Sequence, residues 1–201
     1  MPAYWLALII TFIVWLTLFS VNKTFRKEML ITGILITPFA LLDKLIIPVY
    51  WNPVQFGFEP FVFTFFISGI ASVIYEFAFK KQISKESKHM SLMKMLYFVI
   101  PVGFAFLLFY FLHLNIIYFI ILTLVFSAMA IYMFRKDLGL DILLSAVFFA
   151  ALNTWLYISP GSINWWNMPL VTEFGFALAF GAFVGPLYEF LTNSRLHKSA
   201  I

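Results

Sequence analysis

Apolar residues run along this chain in long blocks broken by short polar punctuation. Blocks near 20 residues have the length a helix needs to cross the hydrocarbon core of a bilayer. Seven of them predict membrane helices, at 3–20, 29–50, 60–79, 92–112, 115–134, 138–157 and 168–191. Basic residues collect in alternate connections. Lys23, Arg26 and Lys27 follow the first block, Lys80, Lys81, Lys85, Lys88 and Lys94 surround the third-to-fourth connection, Arg135 and Lys136 join the fifth to the sixth, and Arg195 and Lys198 sit in the tail. The connections around Trp51, at His113-Leu114-Asn115 and around Trp165 carry no Lys or Arg. The positive-inside rule therefore predicts an outside amino terminus and a cytoplasmic carboxyl terminus. In the first block the positive charge follows the apolar core, which favours a retained helix over a signal peptide.

Composition agrees with this pattern. Of 201 residues, 63% are hydrophobic and 11% charged, at a mean hydropathy of +0.98, whereas a soluble domain is nearer half apolar and a quarter charged. The expectation is an all-α polytopic protein of the plasma membrane, with lipid as its surroundings. The net charge of +4 lies in the short loops and does not point to nucleic acid. Without cysteine there is no disulfide, thiolate nucleophile or thiolate metal site. His89, His113 and His197 fall at interfaces or in the tail, so no histidine metal centre is expected, and no metal is assigned. No Ser-His-Asp arrangement or phosphate-cradling glycine loop stands out.

The chain also repeats itself. Phe25-Arg26-Lys27-Glu28 matches Phe134-Arg135-Lys136-Asp137, Asp43 matches Asn153, Trp51 matches Trp165, and Tyr75-Glu76-Phe77 matches Tyr188-Glu189-Phe190, at offsets drifting from 109 to 114. Residues 1–80 form a first three-helix repeat and 114–201 a second, with a linker and an inverting fourth helix in 81–113. An odd linker helix gives both repeats one orientation, hence a parallel 3+1+3 layout with a pseudo-two-fold axis along the membrane normal. Pro38 and Pro186 remove backbone donors and predict kinks. Small residues such as Gly69, Gly181 and Gly185 let helices approach closely.

Carboxylates inside hydrocarbon are costly and therefore candidates for function. Asp43, Glu59, Asn153 and Glu173 all fall in the outer part of the predicted membrane region, beside Trp51 and Trp165. Glu173 is flanked by Phe174 and Phe176 with no basic residue near in sequence. Other readings stand beside these. Glu59 before Pro60 suits a helix start, Asp43 beside Lys44 suits a self-neutralised pair, and the Trp residues suit interface anchors. Glu76 and Glu189 lie about 24 Å deeper at ~1.5 Å per residue, where the inner-face Lys and Arg offer ion-pair partners. Aromatic residues make up 21% of the chain; a desolvated acid in an aromatic-lined hollow is equipment for carbocation chemistry, because ring faces stabilise a cation without attacking it.

The order of these features resembles the membrane lycopene cyclases, which have two related three-helix-type domains, an Asp late in one helix, a Trp-containing outer loop and an acidic, aromatic-trailed start to the next helix. The first half offers Thr37-Pro38-Phe39, Asp43, Trp51 and Phe58-Glu59-Pro60-Phe61; the second offers Asn153, Trp165 and Met168-Pro169-Leu170-Val171-Thr172-Glu173-Phe174. The Trp before Asp43 is missing, Lys44 stands where Asn is expected, and neither half keeps a double Glu. The resemblance implies acid-catalysed, non-redox cyclisation of a polyene or isoprenoid end group, with no redox cofactor. Glu173 or Glu59 would donate the proton, Asp43 or Asn153 would serve its removal, and Trp51, Trp165, Phe61 and Phe174 would line the substrate. Two other classes stay open: a non-catalytic isoprenoid-binding or assembly subunit, and a small-solute transporter. Whether one copy or a homo-oligomer is the working unit stays open too.

Overall fold

A computed structural model describes residues 3–21, 23–40, 58–79, 81–84, 92–113, 115–158, 170–192 and 195–198. The described chain is helical: α1 (Ala3–Val21), α2 (Lys23–Ile36), α3 (Glu59–Phe79), α4 (Val99–Leu112), α5 (Ile116–Phe134), α6 (Gly139–Ile158), α7 (Leu170–Val184) and α8 (Leu187–Thr192). Short 3-10 segments cover Thr37–Phe39, Leu92–Phe98 and Lys136–Leu138. Four helical stretches are long and apolar enough to cross a membrane, namely Pro60–Phe79, Ile116–Phe134, Lys136–Thr154 and Phe174–Thr192. Leu8–Val21 and Leu96–Leu112 are shorter apolar helices. One feature departs from the all-helical expectation. Strands β1 (Lys81–Ser84) and β2 (Arg195–Lys198) pair antiparallel, with Lys81 opposite Lys198 and Ser84 opposite Arg195, tying the linker to the tail.

The helices fall into two groups. In the first, α3 packs against both α1 and α2; in the second, α7 packs against both α5 and α6. The groups meet where α3 touches α6 and α7, and where α2 touches α8. Helix α4 leans mainly on α5. Their connection is tight because His113 takes the left-handed conformation (φ 48°) that ends α4, and the Asn115 side chain then accepts a hydrogen bond from the Ile117 amide to start α5.

The two prolines act as their missing donors dictate. At Pro38 the α2 backbone tightens into a 3-10 turn, with the Thr37 hydroxyl donating to the Gly33 carbonyl at 2.7 Å. At Gly185-Pro186 the last spanning stretch breaks, and hydrogen bonding resumes with the Phe190 amide on the Pro186 carbonyl at 3.0 Å. Glycines set the closest approaches. A Cβ on Gly33 would lie 2.8 Å from the Phe65 ring, and one on Gly69 would lie 2.6 Å from Trp15 Nε1.

Candidate functional site: a buried carboxylate cluster

Buried positions on α2 follow one helical stripe: Phe25, Glu28, Met29, Thr32, Gly33 and Ile36. Such spacing normally carries hydrocarbon into a core, yet here it carries a glutamate. The α6 stripe starts at Leu138 and continues through Asp141, Ser145, Phe149 and Asn153, again with an acid one turn in. Glu76 ends the buried face of α3, and Glu189 lies on α8 just past the Gly185-Pro186 break. Packing of the two groups gathers these acids at one end of the bundle.

There, Glu28, Glu76 and Glu189 each offer a carboxylate oxygen, and these oxygens all lie within 4.8 Å of one another. All three residues are 0% exposed. Among the described residues, none of their six carboxylate oxygens accepts a hydrogen bond from an N–H or hydroxyl donor. Asp141, also buried, accepts a 2.9 Å hydrogen bond from the Ser145 hydroxyl. The fully buried Thr32 hydroxyl, one turn beyond Glu28, has no hydrogen-bond partner.

Charge at this spacing demands an answer. Two unit charges ~5 Å apart repel by about 3 kcal/mol at an effective dielectric of 20, and desolvation adds to that. Protons, a basic side chain or a bound cation can neutralise the cluster. The donor set is all hard carboxylate oxygen, which fits Mg²⁺, Mn²⁺ or Ca²⁺ rather than a thiophilic metal. Bidentate or monodentate carboxylates converging from three helices give such an ion oxygen ligands on several sides.

Of the described inner-face cations, Arg135 and Lys94 reach main-chain carbonyls beside Glu189, while Lys80, Lys85 and Lys88 lie outside the described residues. Arg135 donates from Nε and Nη2 to the Asp137 carboxylate at 2.8 and 2.7 Å, and from Nη1 to the Glu189 main-chain carbonyl at 3.4 Å. Lys94 donates to the Phe190 carbonyl at 2.8 Å and sits 5.2 Å from the centre of the Phe190 ring. Both cations thus serve the peptide carbonyls at the end of α8.

The outer candidates fare unevenly. Asp43, Trp51 and Trp165 lie outside the described residues, as do the side chains of Glu59 and Glu173. The backbone places Glu59 at the first position of α3 and Glu173 in the first turn of α7. Asn153 is buried on α6, twelve residues beyond Asp141 and so about 18 Å along the helix at 1.5 Å per residue. Phe61 is half-buried and its ring centre lies 5.8 Å from that of Phe58, whereas Phe174 is exposed. Of the described candidates, Asn153, Phe61 and Phe174 lie away from the carboxylate cluster.

Glu28 was missed as a site residue because it follows Arg26 and Lys27 and reads as part of a charged loop. Its signal was present in the helical spacing from Phe25 through Glu28 to Thr32 and Ile36. Comparison with family models, with curated proteins and with solved structures finds no match for this chain.

Proposed function

We propose that this is a multi-pass, cation-binding membrane protein in which Glu28, Glu76 and Glu189 hold a hard divalent ion between two related three-helix halves. The observation that carries the reading is the convergence of three fully buried carboxylates, from both halves, whose oxygens accept no N–H or hydroxyl hydrogen bond among the described residues. Asp141, held by Ser145, supplies a fourth acid beside them: its charge acts on all three glutamates.

The duplication supports this. A spacing of 113 residues separates Glu28 from Asp141, Thr32 from Ser145 and Glu76 from Glu189. The same spacing relates the buried stripe Phe25, Gly33 and Ile36 on α2 to Leu138, Ala146 and Phe149 on α6. This register corrects the match of Glu28 to Asp137, because Asp137 is 51% exposed and clasped by Arg135 while Asp141 is buried. Each half then contributes an acid and a hydroxyl one turn apart, plus a glutamate from its third helix. Seven spans in a 3+1+3 layout complete the reading, with the cluster at the cytoplasmic end in the plasma membrane. The β1–β2 ribbon, which includes Lys81 and Lys198, follows α3 and α8 at that same end.

Binding of Mn²⁺ to the purified, detergent-solubilised protein tests the proposal. Titration followed by electron paramagnetic resonance is expected to show one saturable site, lost in Glu28→Gln and in Glu189→Gln variants that stay monodisperse. Equal Mn²⁺ binding by wild type and both variants would sink it.

A second reading keeps the resemblance to lycopene cyclases and has a specific observation in its favour. The cluster is neutralised equally well by shared protons, and a protonated carboxyl in an apolar, aromatic-rich bundle is a competent donor to a polyene or isoprenoid double bond. In that reading the protein is a cyclase-type isomerase, or an isoprenoid-binding subunit that has lost turnover, and Glu59 or Glu173 remains an outer-leaflet donor. Expression in a lycopene-accumulating host is expected to leave the pigments unchanged if the cluster holds a metal ion. Cyclised end groups that vanish in Glu76→Gln would transfer the cluster to acid catalysis.

A further inference from the structure

Resting on the cation-site reading above, we infer that the buried cluster is the occluded station of a carrier, and that rocking of the two three-helix groups moves a divalent cation across the bilayer.

Three observations lead here. First, the ligands are divided between the groups: Glu28 and Glu76 come from α2 and α3, Glu189 from α8. Separating the groups therefore dismantles the site, and closing them rebuilds it. Second, the site is sealed, with all three acids at 0% exposure, so the ion has no static path to either side. An ion that binds there needs the protein to move.

Third, the close approaches at the described glycines lie inside the groups. Gly33 meets Phe65 across α2 and α3, and Gly69 meets Trp15 of α1 and the Met29 carbonyl of α2. Gly139 meets Tyr132 of α5, while Gly181 and Gly185 meet Ser145, Ala146 and Phe149 of α6. Backbone-close glycine packing holds each group as one body. Across the junction the structure shows hydrocarbon instead: Ile36, Ile67 and Ala71 lie in one cluster with Phe149, Ala177 and Phe180, and the Phe79 and Phe148 rings meet edge-on at 6.0 Å. Under this proposal the junction is the seam along which the two repeats rock against each other. The Gly185-Pro186 break, three residues before Glu189, lets α8 and its ligand swing without unravelling α7.

Proteoliposomes loaded with a Mn²⁺-quenched dye test this with the full chain. Wild type is expected to take up Mn²⁺ several-fold faster than protein-free vesicles, and Glu189→Gln to fall to the vesicle leak. The absence of native cysteine allows a clean lock. In the double variant Phe79→Cys/Phe148→Cys, a cleavable thiol cross-linker should abolish uptake and cleavage should restore it, and Mn²⁺ bound before cross-linking should stay trapped in detergent until cleavage. Unchanged uptake by the cross-linked protein, or no uptake by a wild type that binds Mn²⁺, overturns carriage and leaves the site standing. If the wild type fails to bind Mn²⁺ in detergent, the site itself falls and carriage with it.

Discussion

Replacing Glu76 with Gln is expected to stabilise the protein in chelator and to destabilise it, relative to wild type, in saturating Mn²⁺. The change of sign follows from the geometry. Without a cation, the Glu28, Glu76 and Glu189 carboxylates crowd within 4.8 Å and, among the described residues, accept no N–H or hydroxyl hydrogen bond. At an effective dielectric of 20 each ionised pair costs about 3 kcal/mol. Protonation relieves part of that, so the neutral amide of Glu76→Gln should add about 1–3 kcal/mol of stability in chelator. Mn²⁺ reverses the comparison. A ligand at a hundred times its dissociation constant stabilises the native state by about 2.7 kcal/mol, and only the intact triad collects this in full. Loss of one charged ligand should weaken Mn²⁺ binding by about 100-fold or more, beyond the 10–100-fold typical of residues that merely orient ligands. Thermal unfolding in detergent, followed through tryptophan emission, reads both arms. Asp137→Asn is the control, because Asp137 is half-exposed and engaged with Arg135; its curves should not cross those of wild type. A Glu76→Gln protein that is less stable under both conditions would mean that the glutamate is simply packed.

The membrane character of the chain was legible because it depends on sums over long windows. Apolar blocks, loop charge and low polar content all average over many residues, and Pro60–Phe79, Ile116–Phe134, Lys136–Thr154 and Phe174–Thr192 emerge as helices of spanning length. Pro38 and Pro186 were equally readable, since a missing amide acts locally whatever surrounds it. The site was harder for a physical reason. Sequence neighbours made Glu28 look solvated, because Arg26 and Lys27 precede it, yet on a helix the face decides and Glu28 shares its face with Phe25 and Thr32. Hydropathy depth made Glu76 and Glu189 look like partners of the nearby Lys and Arg; of the described cations, Arg135 and Lys94 donate to the Glu189 and Phe190 carbonyls at the end of α8, while Lys80, Lys85 and Lys88 lie outside the described residues. The proposed repeat takes its register from burial: Asp137 sits in the matching sequence block and is half-exposed, while Asp141, 113 residues after Glu28, is buried. Asp43, Trp51 and Trp165 fall outside the described residues, and so the outer-leaflet proposal stands on sequence alone.

Gly185→Ala is expected to destabilise the protein by about 1–3 kcal/mol, and Ser145→Gly introduced beside it should recover part of the loss. A Cβ built on Gly185 runs into the Ser145 Cβ and lies 2.6 Å from its hydroxyl, closer than real Cβ contacts come. The neighbour cannot yield cheaply. Ser145 is fully buried, its own carbonyl lies 2.6 Å from where a Cβ on Gly181 would sit, and its hydroxyl donates to Asp141. Removing the Ser145 Cβ vacates the volume that the new methyl needs, so the double variant should be more stable than the sum of the single effects by about 1–2 kcal/mol. Gly103→Ala and Gly175→Ala are the controls. A Cβ at either meets nothing within 4 Å, and helix propensity favours Ala by up to about 1 kcal/mol, so neither should lose stability. Thermal unfolding of all five proteins decides the steric argument, and Mn²⁺ affinity carries it to the site. Displacing Ser145 should disturb the acid it holds, so Gly185→Ala is expected to weaken binding while Gly175→Ala leaves it unchanged. Equal Mn²⁺ affinity in both would show that Asp141 and Ser145 stand apart from the cation cage, which would then belong to the three glutamates alone.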